Sequence, residues 1–170
     1  MMADGANTIR GIDVLRHQRD LYGPVASPPT LSRALAEIDE AGLHRLDATR
    51  AKVRTRVWNL ILARHGRIPA ALVPTGDLGD TIVLRIDAHF IDTVSRKENA
   101  ARLRGRYGHH PMAVICDNTG ECLADQLRAG NAGANDAADH IALLSRAITQ
   151  VPARHRTNLL ITADGAGATH

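Results

Sequence analysis

Aromatic side chains are nearly missing from this chain of 170 residues: at 2%, they amount to Tyr22, Trp58, Phe90 and Tyr107. Stacked platforms for single-stranded bases need more rings than that. A core must therefore come mostly from Ala, Val, Ile and Leu within the 44% hydrophobic content. Cysteine is just as sparse, with Cys116 and Cys122 in no CxxC pattern, which excludes a disulfide scaffold and points to a reducing compartment. No apolar run approaches the ~18 residues of a membrane span, and the N-terminus lacks a basic-then-apolar signal pattern. The chain reads as soluble and cytoplasmic, with no membrane partner. Lysine is scarce too: Lys52 and Lys97 are the only two, so the 21 basic residues are almost all arginine, and the net charge is +3. Arginine forks suit phosphate. GC-rich coding yields the same bias, so composition alone does not establish a nucleic-acid partner.

What is present begins with turn chemistry. "GPVASPPT" (23–30) ends an irregular N-terminal stretch, and Ser27 or Thr30 can cap a helix starting near Thr30. Leu31, Leu35 and Ile38 repeat at helical spacing, and Gly42 allows a break before a second, longer helix. Leu46, Val53, Val57, Leu60 and Ile61 form that helix's apolar stripe. Its other faces carry Arg45, Arg50, Lys52, Arg54, Arg56 and Arg64, a DNA-facing surface or simply a solvated one. "HGRIPAALVPTGDLGD" (65–80) reads as a linker, dividing a helical region, 1–75, from a second region, 76–170.

Beyond the linker the period changes. "TIVLRIDAHFIDTVS", "HPMAVICD" and "ECLADQLRAG" read as three strands of an antiparallel meander, the second turn made by "NTG", and the third turning Cys122, Ala124 and Gln126 to one side. An Asn or Asp then caps an amphipathic helix with Ile141, Leu144 and Ile148 on one side, which Pro152 ends. "TNLLITAD" is a fourth strand, fully apolar and of the buried kind. A right-handed crossover would lay it parallel beside the first. Asp87 and Asp164 would then approach each other. Two such carboxylates suit Mg²⁺ or Mn²⁺, and two ions can clamp the attacking and leaving oxygens of a phosphodiester. Aspartate at a strand end is also a common turn or cap residue.

"VLRHQRDLYGPVASPPTLSRALAEID", "RIDAHFIDTVSRKENA", "GHHPMAVICDNTGECLADQLRAGNAGANDAADHI" and "LLITADGAG" together resemble the DDE-type transposases of bacterial insertion sequences. The resemblance implies an α/β fold: a partial RNase H-like core of three antiparallel strands, a helix and a parallel fourth strand, preceded by a helical region for DNA binding or dimerisation. It implies that Asp87, in a "DAT"-like motif, and Asp164, in an "ADSAG"-like motif, are catalytic acids holding Mg²⁺ or Mn²⁺. Transposon-end and target DNA are the implied partners, with cleavage and strand transfer as the parent activity. His89 stands where the family usually has a small hydroxylated residue, and Gly165 where serine is common.

The family's third acid is a glutamate on a later helix, which this sequence does not reach. The chain therefore reads as a slice, short at both ends and inactive alone. Alternatives are a DNA-binding or dimerising inhibitor of a full-length transposase and a structural domain without ligand. Arg50 and Arg54 on the long helix, and Arg102, Arg104 and Arg106 before "YGHH", are the candidate phosphate contacts. Glu98, flanked by Arg96 and Lys97, and Glu121, in a turn, read as solvent-facing. "GNAGAN" could cradle a phosphate, but it lacks the P-loop pattern and suits a turn feeding a capped helix.

Overall fold

The computed structural model describes residues 8–73, 76–93, 97–133 and 136–163. It divides into two compact units, Met1–Asp47 and Ala48–His170.

The first unit is helical. A 3-10 turn, Ile9–Ile12, leads into two single-turn helices, α1 (Asp13–Arg16) and α2 (Arg19–Tyr22). Gly23, at φ 67°, makes the bend that follows. In α3 (Pro28–Ala36) the expected cap forms: the Thr30 amide donates to Ser27 Oγ, and proline occupies the first turn, where no backbone donor is required. α4 runs from Glu40 to His65 without interruption. Gly42 does not break it. The Gly42 amide donates to Asp39 Oδ1 at 2.7 Å, so Asp39 caps the helix and the glycine lies in its first turn.

The second unit takes the rest of α4 and, among the described residues, adds nine strands and a further α-helix. A two-residue pair, β1 (Leu72–Val73) with β2 (Gly76–Asp77), lies in the stretch read as a linker. Ile68 and Ala71 just before it are buried. β3 (Ile82–Ala88) follows, then the short β4 (Ile91–Asp92), β5 (Ala101–Leu103), β6 (Arg106–His109), β7 (Met112–Cys116), β8 (Glu121–Gln126), α5 (Ala137–Gln150) and β9 (Leu159–Ala163). The run "TIVLRIDAHFIDTVS" is thus two strands parted at His89 and Phe90, its residues 94–96 lying outside those described.

The main sheet has the order β8-β7-β3-β9. β3 is antiparallel to β7 and parallel to β9, and β7 is antiparallel to β8, as the meander and crossover predict. The architecture is a mixed α/β one with one parallel pairing. A smaller sheet, β4-β6-β5, adjoins the sequence between β3 and β7.

The core lies on one face of the main sheet. Ile82, Leu84 and Ile86 of β3, Met112, Val114 and Cys116 of β7, and Leu123 and Ala124 of β8 pack with Trp58 of α4 and Leu143 and Ala147 of α5. Trp58 is fully buried. Two expectations are corrected here. On β8 the inward pair is Leu123 and Ala124 while Cys122 is exposed, because a bulge opposite Val114 and Ile115 inserts an extra residue and reverses the alternation. β9 is not buried on both faces: it borders β3 alone among the described strands, and Leu160 and Ile161 are 39% and 46% exposed.

The α4 stripe is corrected as well. Arg54, Trp58, Ile61 and Leu62 face the core, while Val53, Val57 and Leu60 are exposed. On α5, Leu143 and Ala147 are buried, Leu144 and Ile148 flank them, and Ile141 points outward at 66% exposure. The helix cap and stop hold: Asp136 accepts from the Ala138 and Asp139 amides, and α5 ends two residues before Pro152.

Candidate active site

The two faces of β3 differ from Leu84 onward, Val83 being buried on the face that carries Arg85 and Asp87. Ile82, Leu84 and Ile86 enter the core, and Arg85 and Asp87 are exposed. Asp87 is paired across to Ala113 of β7. On the other side the parallel register ends at Ile86 with Ala163, the residues that immediately precede Asp87 and Asp164 in sequence. Asp164 itself lies outside the described residues.

Two arginines, one on β3 and one on β6, are committed to other acids. Arg85 pairs with Asp117 at 3.1 Å. Arg106 pairs with Asp92 at 2.5 Å and lies 4.6 Å over the Phe90 ring, which in turn tilts against His110. The Arg106 guanidinium holds the Asp92 carboxyl below the usual carboxylate range, and Asp92 pushes the guanidinium up. Among the described residues no ion pair claims Asp87, an exposed oxygen donor of the type hard divalent cations take. No cluster of three His, Cys, Asp or Glu occurs among them.

The segment beside Asp87 is held by a latch that the sequence only flagged. His89 donates its amide to the Pro111 carbonyl, and His110 donates its amide to Arg128. Arg128 is 5% exposed; its Nε donates to the His110 carbonyl and its Nη1 to Gly133 O and Asp139 Oδ2. His110 Nδ1 meets Ala132 O at 2.9 Å. Gly108 and Gly130 permit the close packing, since a Cβ on either would overlap a neighbouring carbonyl oxygen. "RAGNAGANDAADHI" therefore works as a loop clamped by a buried arginine and feeding a capped helix. Its residues 134–135 lie outside those described. The signal was a glycine-rich run between an arginine and two acids, unusual for a generic connection.

The five candidate phosphate contacts separate. Arg54 is 6% exposed, with Nε on Glu121 Oε1 at 3.2 Å and Nη1 on Gln150 Oε1 at 2.6 Å. Glu121, read as solvent-facing, also accepts from Trp58 Nε1 and Thr119 Oγ1, so it closes a network that ties α4 to β8. Arg50 donates to the Cys122 carbonyl at 2.9 Å. Arg106 is held by Asp92 as above. Arg102 and Arg104 are exposed on the β5–β6 hairpin. Arg104 adopts φ 48° and Gly105 φ 84°, the left-handed pair of a type I′ turn.

One hollow lies apart from these residues, a cavity of about 270 Å³ lined by Leu62, Ile68, Ile82, Asp80, Asn118 and His155 among others. His155 Nε2 is buried without a partner. Burial, then the Arg154 charge, pushes the His155 imidazole down, and Asp80 opposes them.

Compared with known proteins, residues 6–170 match the family described as Transposase DDE domain group 1. No curated protein and no solved structure matches the chain. Because that match spans nearly the whole sequence, the chain belongs to the Transposase DDE domain group 1 family.

Proposed function

We propose that Asp87 and Asp164 are two acids of a transposase site, holding Mg²⁺ or Mn²⁺ in an RNase H-like core that acts on transposon-end and target DNA in the cytoplasm. The observation that carries the proposal is the strand arrangement: Asp87 is exposed on the central β3, and the parallel β9 is paired with it up to the residue before Asp164. When bound, the ions would activate water or a 3′-hydroxyl and stabilise the leaving oxygen of a phosphodiester. The two carboxylates' own part is to neutralise and position that charge.

The basic hairpin is the proposed phosphate contact. Arg104 holds a backbone conformation that asparagine or glycine adopts more easily, and a bulky residue in that conformation is a pointer to function. The helical region 1–75 would then serve DNA binding or dimerisation and 76–170 the catalytic core. Arg54, withdrawn into the interior, takes no part in DNA contact, and Arg50 and Arg106 act mainly in the fold.

The test is Mn²⁺ binding by electron paramagnetic resonance on the whole chain and on Asp87→Asn and Asp164→Asn, beside DNA binding as a function of salt. Each aspartate variant should lose the ion, and Arg102→Ala with Arg104→Ala should flatten the salt slope by about 0.9 for each phosphate no longer neutralised. Unchanged Mn²⁺ affinity in both aspartate variants would sink the metal reading. DNA binding without metal binding would leave the inhibitor reading, and neither would leave a structural domain.

A further inference from the structure

The ladder between β3 and β7 runs one residue further than β3 itself. Pairing sets Asp87 opposite Ala113 and Ala88 opposite Met112, so the next pair is His89 with Pro111. The His89 amide does donate to the Pro111 carbonyl, at 3.2 Å. Proline has no amide to return the bond, and the ladder stops there for that reason. Because the pleat continues to His89, Asp87 and His89 stand on the same face, at alternate positions about 7 Å apart. Both are exposed.

The backbone after His89 is held in place. Phe90 lies under the Arg106 guanidinium, 4.6 Å away, and tilts against His110, while the Thr93 amide donates to the Tyr107 carbonyl at 2.9 Å. The side chains of Asp87 and His89 are not so committed: among the described residues neither has a hydrogen bond, ion pair or ring contact. Arg85, the other charged residue of this face, is taken by Asp117. His109 and His110, which precede Pro111, differ from His89 in being buried, with a ring nitrogen of each on a carbonyl, Glu98 O at 3.0 Å and Ala132 O at 2.9 Å. An open carboxylate and an open imidazole therefore share one strand face, close enough for a single ion to take both.

We infer that His89 is a nitrogen ligand to the ion that Asp87 holds, and that it biases this site towards Mn²⁺ over Mg²⁺. The inference rests on the proposed role of Asp87 in holding a metal. Mg²⁺ takes oxygen ligands and keeps much of its water, whereas a site with a nitrogen donor gains affinity for first-row transition ions.

Pulsed electron paramagnetic resonance on the Mn²⁺-loaded, tag-free whole chain tests it, with circular dichroism to verify folding. Bound Mn²⁺ should show the nitrogen coupling of a directly bonded imidazole. His89→Gln should lose that coupling and weaken Mn²⁺ binding by roughly tenfold, since removing even a residue that only supports a ligand costs about that much. His89→Asp makes the pair all-oxygen, so Mg²⁺ should displace Mn²⁺ from it more readily than from wild type. Asp87→Asn should lose the ion. If His89→Gln keeps both coupling and affinity while Asp87→Asn loses the ion, His89 is no ligand and the role of Asp87 stands. If Asp87→Asn binds Mn²⁺ as wild type does, both readings fall. Weaker DNA binding by His89→Gln at unchanged Mn²⁺ affinity would assign the imidazole to phosphate and overturn the proposal.

Discussion

Removing the Glu121 carboxylate is expected to unfold the second unit more readily by about 4 kcal/mol. Arg54 is 6% exposed, and Glu121 is its carboxylate partner, at 3.2 Å. Breaking a buried ion pair from one side costs about 3–5 kcal/mol, because the remaining charge stays desolvated. The Glu121 side chain is 34% exposed, so water can partly replace it and the lower end, about 3 kcal/mol, applies. Trp58 Nε1 also loses its acceptor, which adds about 1 kcal/mol. In urea, with a slope of about 2 kcal/mol/M, Glu121→Ala should lower the midpoint by about 2 M. The single tryptophan, fully buried in this core, reports the transition by fluorescence. Arg54→Met combined with Glu121→Gln should return to within about 1 kcal/mol of wild type, since no buried charge is then left alone. A loss below about 1 kcal/mol for Glu121→Ala would refute the structural role of the network. So would a weakening of DNA binding by Arg54→Met at unchanged stability.

Further outcomes follow from the same geometry. His155 is held below its ordinary value of 6.5, so the unfolded chain takes up its proton first: stability should be full above about pH 6.5 and fall as the pH drops towards the folded pKa. His155→Gln should remove that part of the acid sensitivity in thermal melts at about pH 7 and about pH 5. Gly108→Ala should be among the most damaging small substitutions, by several kcal/mol, because the added Cβ meets the Ile91 backbone, which cannot swing aside like a side chain; Tm measures it. Arg104→Asn should leave stability equal or slightly raised, since asparagine accepts the left-handed conformation, and a fall in Tm would show that the arginine itself holds the hairpin. Alkylation should label Cys122 in the native chain and Cys116 only in denaturant, because Cys116 is buried and its thiol is pushed up by burial; mass spectrometry of digested protein reads both.

Local chemistry was legible from the residues alone. The Ser27 and Asp136 caps, the Asn118–Gly120 turn and the stop before Pro152 rest on contacts within a few residues, so they survive whatever surrounds them, and the strand, strand, strand, helix, strand order holds for the main sheet although the short β1, β2, β4, β5 and β6 went unread. The exposed Asp87 on the first strand of the main sheet belongs with these. Its alternation with Ile86 is a property of the pleat.

What tertiary structure decided was which of two available faces each element turns inward. α4 has apolar residues on more than one side, and a helical period cannot tell which side meets a sheet; Trp58, with Arg54 neutralised by Glu121, won that place over Val53, Val57 and Leu60. A one-residue bulge, invisible in composition, turned Leu123 inward and Cys122 outward. Arg50, Arg54 and Arg106 look alike as charges in a sequence, yet their partners lie 72, 67 and 14 residues away, and only folding brings those acceptors to them. An apolar run such as Leu159–Ala163 specifies a strand, but whether it is covered depends on neighbours it does not itself encode.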